Sequence, residues 1–375
     1  MRQLLVLLVI GILAACSSDG PPPQPTVTAP VARGDRMLSI DISLPEDDDY
    51  TAAFERAFAT DMDQVKLSID WKDLRDDMDL ASPTFAPAVN AFYHTYAMPI
   101  VVFIRPIHID SDHRPTLPTD LTVLAMNDAS VVAAFNQLID DFMAAIPNTT
   151  VDAIIIGSEI DGYLGNNATR WTEYTDFFDQ TATHIRSTYS GVKVGSEVTF
   201  PLLKDAAKRV HWNTLCGYAD FTGISYYGID YATLLARSPQ AIADDFALIA
   251  ANCRSDRDIW IPQMGYPSGA NSGSSEALQA DWVSQAFLAW DRWGHRITMV
   301  NFTWMHEWLE ADVDAFLVDV GISGNAALKS FLLSLGLRHR TGSGSDKPAW
   351  TRLLSETAAR GWQRSVVSPI PAISH

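Results

Sequence analysis

The chain is 375 residues long, and its 47% hydrophobic and 19% charged content is that of a globular protein with a large core. A formal net charge of −18 excludes the broad basic surfaces that nucleic acids and anionic lipid headgroups demand, and leaves a neutral ligand open.

In chain order, Met1-Arg2 and the apolar run Leu4 to Ala15 are too short to span a bilayer but suit a signal-peptide core. The run closes on Leu13-Ala14-Ala15-Cys16, which resembles the lipobox of bacterial lipoproteins. Small residues there fit the processing peptidase, and the thiol receives diacylglycerol. The resemblance implies a signal peptide at 1–15, lipid on Cys16, and attachment to a membrane without a spanning helix. Ser17 after the cysteine favours the outer membrane of a Gram-negative host. Residues 16–36 are rich in Pro, Ser and Thr and read as the lipidated cysteine and an extended tether. The expected location is the bacterial cell envelope.

Residues 37–365 are expected to form one domain, with a short tail at 366–375. Apolar runs predict strands at Met37–Asp41, Val65–Trp71, Pro99–Ile104, Ala153–Glu159, Lys193–Val198, Phe221–Tyr226, Asp258–Gln263 and Thr298–Trp304. Apolar residues at three- and four-residue spacing predict helices between them at Tyr50–Met62, Phe85–Tyr96, Ser130–Ile146, Thr172–Tyr189, Pro239–Cys253 and Glu276–Trp293. Asn166-Asn167, Ser238-Pro239 and Ser274-Ser275 supply helix starts. Strand and helix in alternation point to an α/β fold, a (β/α)8 TIM barrel. A doubly wound sheet would want a Gly-rich turn after the first strand, where Ser43-Leu44-Pro45-Glu46 stands. Cys216 and Cys253 precede the sixth and seventh strands, at the barrel's amino-terminal face. An exported compartment permits their oxidation, so a disulfide is expected; two small buried thiols are the alternative.

Barrel chemistry sits at the carboxyl ends of strands. Two ends carry motifs: Ile154-Ile155-Ile156-Gly157-Ser158-Glu159-Ile160-Asp161 and Ile259-Trp260-Ile261-Pro262-Gln263-Met264-Gly265-Tyr266-Pro267-Ser268. They resemble the fourth and seventh strands of clan A retaining glycoside hydrolases, the group that includes endo-galactanases and many mannanases and glucanases. The stretch from Gly336-Leu337-Arg338 to Lys347-Pro348-Ala349-Trp350 is similar to the ending of those barrels. The resemblance implies that Glu159 is the general acid/base. It places Gln263 at the nucleophile position and Ser158 where Asn is usual. It also implies that Tyr226 contacts the nucleophile position and that Trp304 floors the site.

A carboxylic acid in an apolar barrel mouth loses hydration and keeps its proton near neutral pH, as protonating a glycosidic oxygen requires. A salt bridge from Arg105 would instead make Glu159 structural. Retention needs a second carboxylate about 5–5.5 Å from the first, and inversion one about 6.5–9.5 Å away. Gln263 supplies neither. Three readings stay open: an inactive sugar binder, a carboxylate from another strand end (Glu197 or Glu307), or Gln263 orienting a substrate group that itself attacks. Asp41, Trp71, Arg105, His108, Asp161, Gln263 and Tyr266 join Tyr226 and Trp304 as candidate substrate contacts, because aromatic faces stack on sugar rings while polar groups fix hydroxyls. Asp70, Tyr227 and Trp308 stand at the same strand ends. The cluster of His108, Asp110, Asp112 and His113 has alternate spacing that a cation would accept, but it reads better as sugar ligands or solvated loop, so no metal or other cofactor is expected. The expectation is a monomeric glycoside hydrolase acting on an oligo- or polysaccharide; the rival is a non-catalytic carbohydrate-binding lipoprotein.

Overall fold

A computed structural model describes residues 29–47, 49–107, 116–319 and 321–362. The expected signal peptide, Cys16, most of the expected tether, the cluster of His108, Asp110, Asp112 and His113, and the expected tail lie outside the described residues.

The apolar runs form eight strands: β1 (Met37–Ile40), β2 (Val65–Asp70), β3 (Ile100–Arg105), β4 (Val151–Ile156), β5 (Lys193–Thr199), β6 (Phe221–Tyr227), β7 (Asp258–Gly265) and β8 (Ile297–Phe302). All pair in parallel in the order β1-β8-β7-β6-β5-β4-β3-β2, and a parallel bridge between Ser39 and Gln64 closes the seam between β1 and β2. The fold is a (β/α)8 barrel. Around it run α1 (Tyr50–Phe58), α2 (Trp71–Met78), α3 (Phe85–Thr95), α4 (Ala129–Ala145), α5 (Asp161–Leu164), α6 (Ala168–Thr188), α7 (Ala206–Leu215), α8 (Ile242–Asn252), α9 (Glu276–Trp293), α10 (Glu310–Asp319), α11 (Ala326–Leu333) and α12 (Pro348–Arg360). Asn167 caps α6 and Ser275 caps α9 through side-chain oxygens that accept first-turn N–H groups. Ser238-Pro239 opens a short 3-10 turn before α8. No helix among the described residues is long and apolar enough to cross a membrane.

Alternation along each strand sorts the core into layers. Val101 and Phe103 of β3, Ala153 and Ile155 of β4, Phe221 and Trp260 fill the barrel, whereas Ile100, Val102, Ile104, Ile154 and Ile156 join the layer under the helices. The interior is tight enough to require a glycine: a Cβ on Gly195 would sit 2.3 Å from the Phe221 ring, which stacks on Trp260 at 3.8 Å. A third apolar cluster, with Tyr227, Ile229, Val313, Leu317, Phe331, Leu332 and Leu335, lies where α10 and α11 join β6.

The expected disulfide is absent. Cys216 and Cys253 are both free and buried, capping the carboxyl ends of α7 and α8. Burial pushes both thiols up, that of Cys253 to about 12. They serve as small apolar groups in the helix–sheet layer.

Candidate active site

Inward-facing positions stop being apolar at the carboxyl ends of the strands, and there the barrel opens into a cleft of about 1030 Å3. Strand β2 turns Lys66 and Ser68 into it, β1 leads to Asp41, β3 ends in Arg105, and β6 contributes Tyr227. Gln263 reaches the cleft through a bulge. Gly223 and Ser225 of β6 pair with Trp260 and Gln263 of β7, so three steps on β7 face two on β6. Without that extra residue the alternation set by Trp260 would turn Gln263 toward the helices. Pro262 suits the bulge because it has no N–H to offer, while its carbonyl accepts from Lys66 Nζ (3.2 Å) and Asn301 Nδ2 (3.0 Å).

Beyond β4, Gly157 (φ +78°) and Glu159 (φ +49°) take left-handed backbone conformations. For glutamate this costs on the order of 1 kcal/mol, and it aims the carboxyl at the cleft. Glu159 Oε1 accepts a 2.6 Å hydrogen bond from Ser225 Oγ. Burial pushes this acid up to about 7, against the opposing pull of the Ser225 hydroxyl and Lys66. Arg105 does not neutralise it, because Arg105 Nε pairs with Asp70 at 2.6 Å. Glu159 can therefore carry a proton near neutral pH.

Gln263 is held at both ends of its amide. Its Nε2 donates to Glu197 Oε2 (2.7 Å) and Ser158 Oγ (3.0 Å), and its Oε1 accepts from the Tyr227 hydroxyl (3.1 Å). Ser158 Oγ donates to the same Glu197 oxygen at 3.0 Å. Glu197 is fully buried behind this network, and burial and the nearby Glu159 push its carboxyl up to about 8. Two donors converge on Oε2, which leaves Oε1 as the oxygen to carry the proton.

Other candidates fall elsewhere. Glu307 is not in the cleft wall; it pairs with Lys347 and lies 3.5 Å from His339. Trp71 is fully buried at the start of α2 against Phe135 and Phe177, so it is core. Tyr226 faces outward from β6, where its hydroxyl donates to Asp245; the tyrosine that meets Gln263 is the next residue, Tyr227. Tyr266 stacks on Trp282 and donates to the Arg237 carbonyl, and Asp161 accepts from Thr199 N and Oγ1; neither lines the cleft. Asp41 does, in a 2.8 Å ion pair with Lys66, and Trp304 does, stacked on Trp308 with centroids 4.2 Å apart. Lys66 and Ser225 were not singled out from the sequence, although the alternation of Lys66, Ser68 and Asp70 in an otherwise apolar strand marks a polar inner face. Among the described residues no group of His, Cys, Asp and Glu has the arrangement of a metal site.

No protein-family model and no curated protein matches the chain. Solved structures do. A glutamate-to-alanine variant of a GH5_18 enzyme from Streptomyces cattleya, in complex with Manβ1-4GlcNAc, aligns over 90% of this chain and 82% of its own, with TM-score 0.62 and 16% identity. The exo-β-1,4-mannosidase Op5Man5 from Opitutaceae bacterium strain TAV5 aligns over 87% and 59%, with TM-score 0.64 and 10% identity. The GH53 catalytic domain of Ignisphaera aggregans aligns over 88% and 99%, with TM-score 0.58 and 12% identity. The (β/α)8 barrel is the fold that this chain shares with these three structures. At these identities the likeness to the glycosidase barrels is one of fold.

Proposed function

We propose that the protein recognises an oligosaccharide or polysaccharide in the cleft, with the Glu159 carboxyl set at a glycosidic oxygen, and that it does so as a binding protein on a glycoside hydrolase scaffold. One observation carries this reading: the amide of Gln263, the residue that the resemblance puts at the nucleophile position, is locked by Tyr227, Ser158 and Glu197. An amide neither attacks an anomeric carbon efficiently nor balances an oxocarbenium charge. Among the described residues the cleft's remaining carboxylates are engaged, Asp41 by Lys66 and Asp312 by Arg340 at 3.4 Å. The exposed faces of Trp304 and Trp308 suit the C–H faces of sugar rings. The lipobox-like Leu13-Ala14-Ala15-Cys16 supports attachment to the bacterial envelope; loss of palmitate incorporation in Cys16→Ser would be its signature.

A second reading keeps hydrolysis and takes Glu197 as the second carboxylate. It is favoured by the position of Glu197, 2.7 Å behind the Gln263 amide. Binding and turnover, measured together on β-mannoside, β-galactoside and β-glucoside polymers, separate the two. The binding protein shows saturable binding with background turnover, Glu159→Gln changes affinity alone, and Gln263→Glu creates turnover. Turnover by the unaltered chain that collapses in both Glu159→Gln and Glu197→Gln would establish the hydrolase and reject the binder.

A further inference from the structure

The cleft is chemically two-sided. Its floor is the polar group of Asp41, Lys66, Arg105, Glu159 and Gln263. Its far wall, built by the loop after β6 and by α10 and α11, presents Ile229, Leu234, Phe316, Ile322, Leu328 and Leu332 to the same continuous cavity. Tyr231, Asp312 and Phe331 line it from the same elements, and the larger share of the wall falls to the five aliphatic side chains. They have no flat face to stack on a sugar ring and no donor or acceptor for a hydroxyl. A sugar pressed there would lose its water without compensation, whereas a hydrocarbon would gain about 25 cal/mol for each Å2 removed from water. The volume of about 1030 Å3 is at the upper end of the roughly 300–1,000 Å3 of drug-sized pockets, ample for a sugar and an apolar substituent together.

We propose that the ligand is an amphiphilic glycoconjugate, its sugar on the polar floor at Glu159 and Gln263 and an alkyl or acyl aglycone along the wall of α10 and α11. This rests on the carbohydrate reading and names the class of molecule the site takes. The continuity of floor and wall in one cavity is what joins the two halves into one ligand.

The experiment titrates the purified chain with n-octyl and methyl β-glycosides of glucose, mannose, galactose and N-acetylglucosamine below the octyl compounds' micelle threshold, following tryptophan fluorescence from Trp304 and Trp308. An octyl detergent with an oligo(ethylene glycol) head is the sugar-free control. For at least one sugar the octyl glycoside is expected to bind ten times more tightly than its methyl partner. Leu328→Asp and Ile322→Asp should abolish that preference while leaving methyl glycoside binding and the melting temperature near those of the unaltered chain. Equal affinity of octyl and methyl partners would refute the apolar half and leave the carbohydrate reading standing. Equal binding of the sugar-free detergent would refute the sugar half. Absence of any octyl glycoside binding would reject both. A dimer in sedimentation that dissociates in Leu328→Asp would give the wall to a second copy of this chain and overturn the proposal.

Discussion

At the scale of single residues the unusual feature is a pair of neighbouring acids, Glu159 on the cleft and Glu197 buried behind Gln263, and burial raises both, Glu159 to about 7 and Glu197 to about 8. An ordinary glutamate in the unfolded chain titrates near about 4.3. Below that value both states are protonated and the pair costs nothing. As pH rises, the unfolded chain releases protons that the fold retains, so stability falls between about pH 4.3 and 8 and levels off above. Glu197→Gln keeps an oxygen for Ser158 and Gln263 and removes the buried acid. Its expected effect is a gain in stability that is absent at pH 4 and grows toward pH 8, read as a shallower fall of the melting temperature with pH; an unchanged pH profile would contradict the assignment of a raised Glu197. The positions of Glu159 and Gln263 were legible because each closely follows an isoleucine-rich run, while Glu197 was legible only as the acid near the end of the fifth strand, between Ser196 and Val198. The choice of Tyr226 over Tyr227 was not, since adjacent aromatics look alike until strand parity is known. Phe221, Gly223, Ser225 and Tyr227 share the inner face, and that parity comes from pairing in the barrel.

Among the elements, the strands and most helices were readable because apolar period separates them, while α10 and α11 were not. Their segment opens with Glu310, Asp312 and Asp314 and carries too little apolar period to announce a cleft wall. Trp71 misled for the related reason that a large aromatic after a strand reads alike whether it lines a mouth or starts a buried helix. The α10–α11 pair rests on the small cluster around Val313, Leu317, Phe331 and Leu332, separate from the layer under the other helices. Its ion pairs from Lys329 to Glu310 (2.7 Å) and Asp314 (2.6 Å) involve largely exposed carboxylates, which contribute little. This wall should open locally while the barrel stays closed. Hydrogen exchange is expected to be faster in α10 and α11 than in β3 to β7, and to slow there on ligand binding. Protection equal to that of the strands would mean the wall belongs to the same cooperative unit as the ring.

For the molecule as a whole, closing a ring means tying the last helix to the first strand, and a buried charge group does this at the face opposite the cleft. Asp291 of α9 accepts from Arg36 Nη1 (2.8 Å), just before β1, and from Arg360 Nε (2.9 Å) and Nη2 (2.6 Å) at the end of α12. Arg36 also lies over the rings of Trp290 and Trp362, which stack on each other at 5.1 Å. Both guanidinium groups are nearly inaccessible, with Arg36 5% and Arg360 2% exposed, so each needs a carboxylate partner, and Asp291 is the one they share. After Asp291→Ala, Arg360 retains Glu356 at 2.7 Å, while Arg36 is left with only backbone carbonyls and the tryptophan faces. Removing one member of a buried ion pair costs about 3–5 kcal/mol, because the partner's charge stays desolvated and uncompensated. We expect a loss in that range by denaturant unfolding, with ligand affinity in the cleft unchanged wherever the variant is folded. A stability loss below about 1 kcal/mol would show that water reaches Arg36 and that the seam is held by apolar packing alone. A change in affinity at constant fold would show the two faces of the barrel to be coupled.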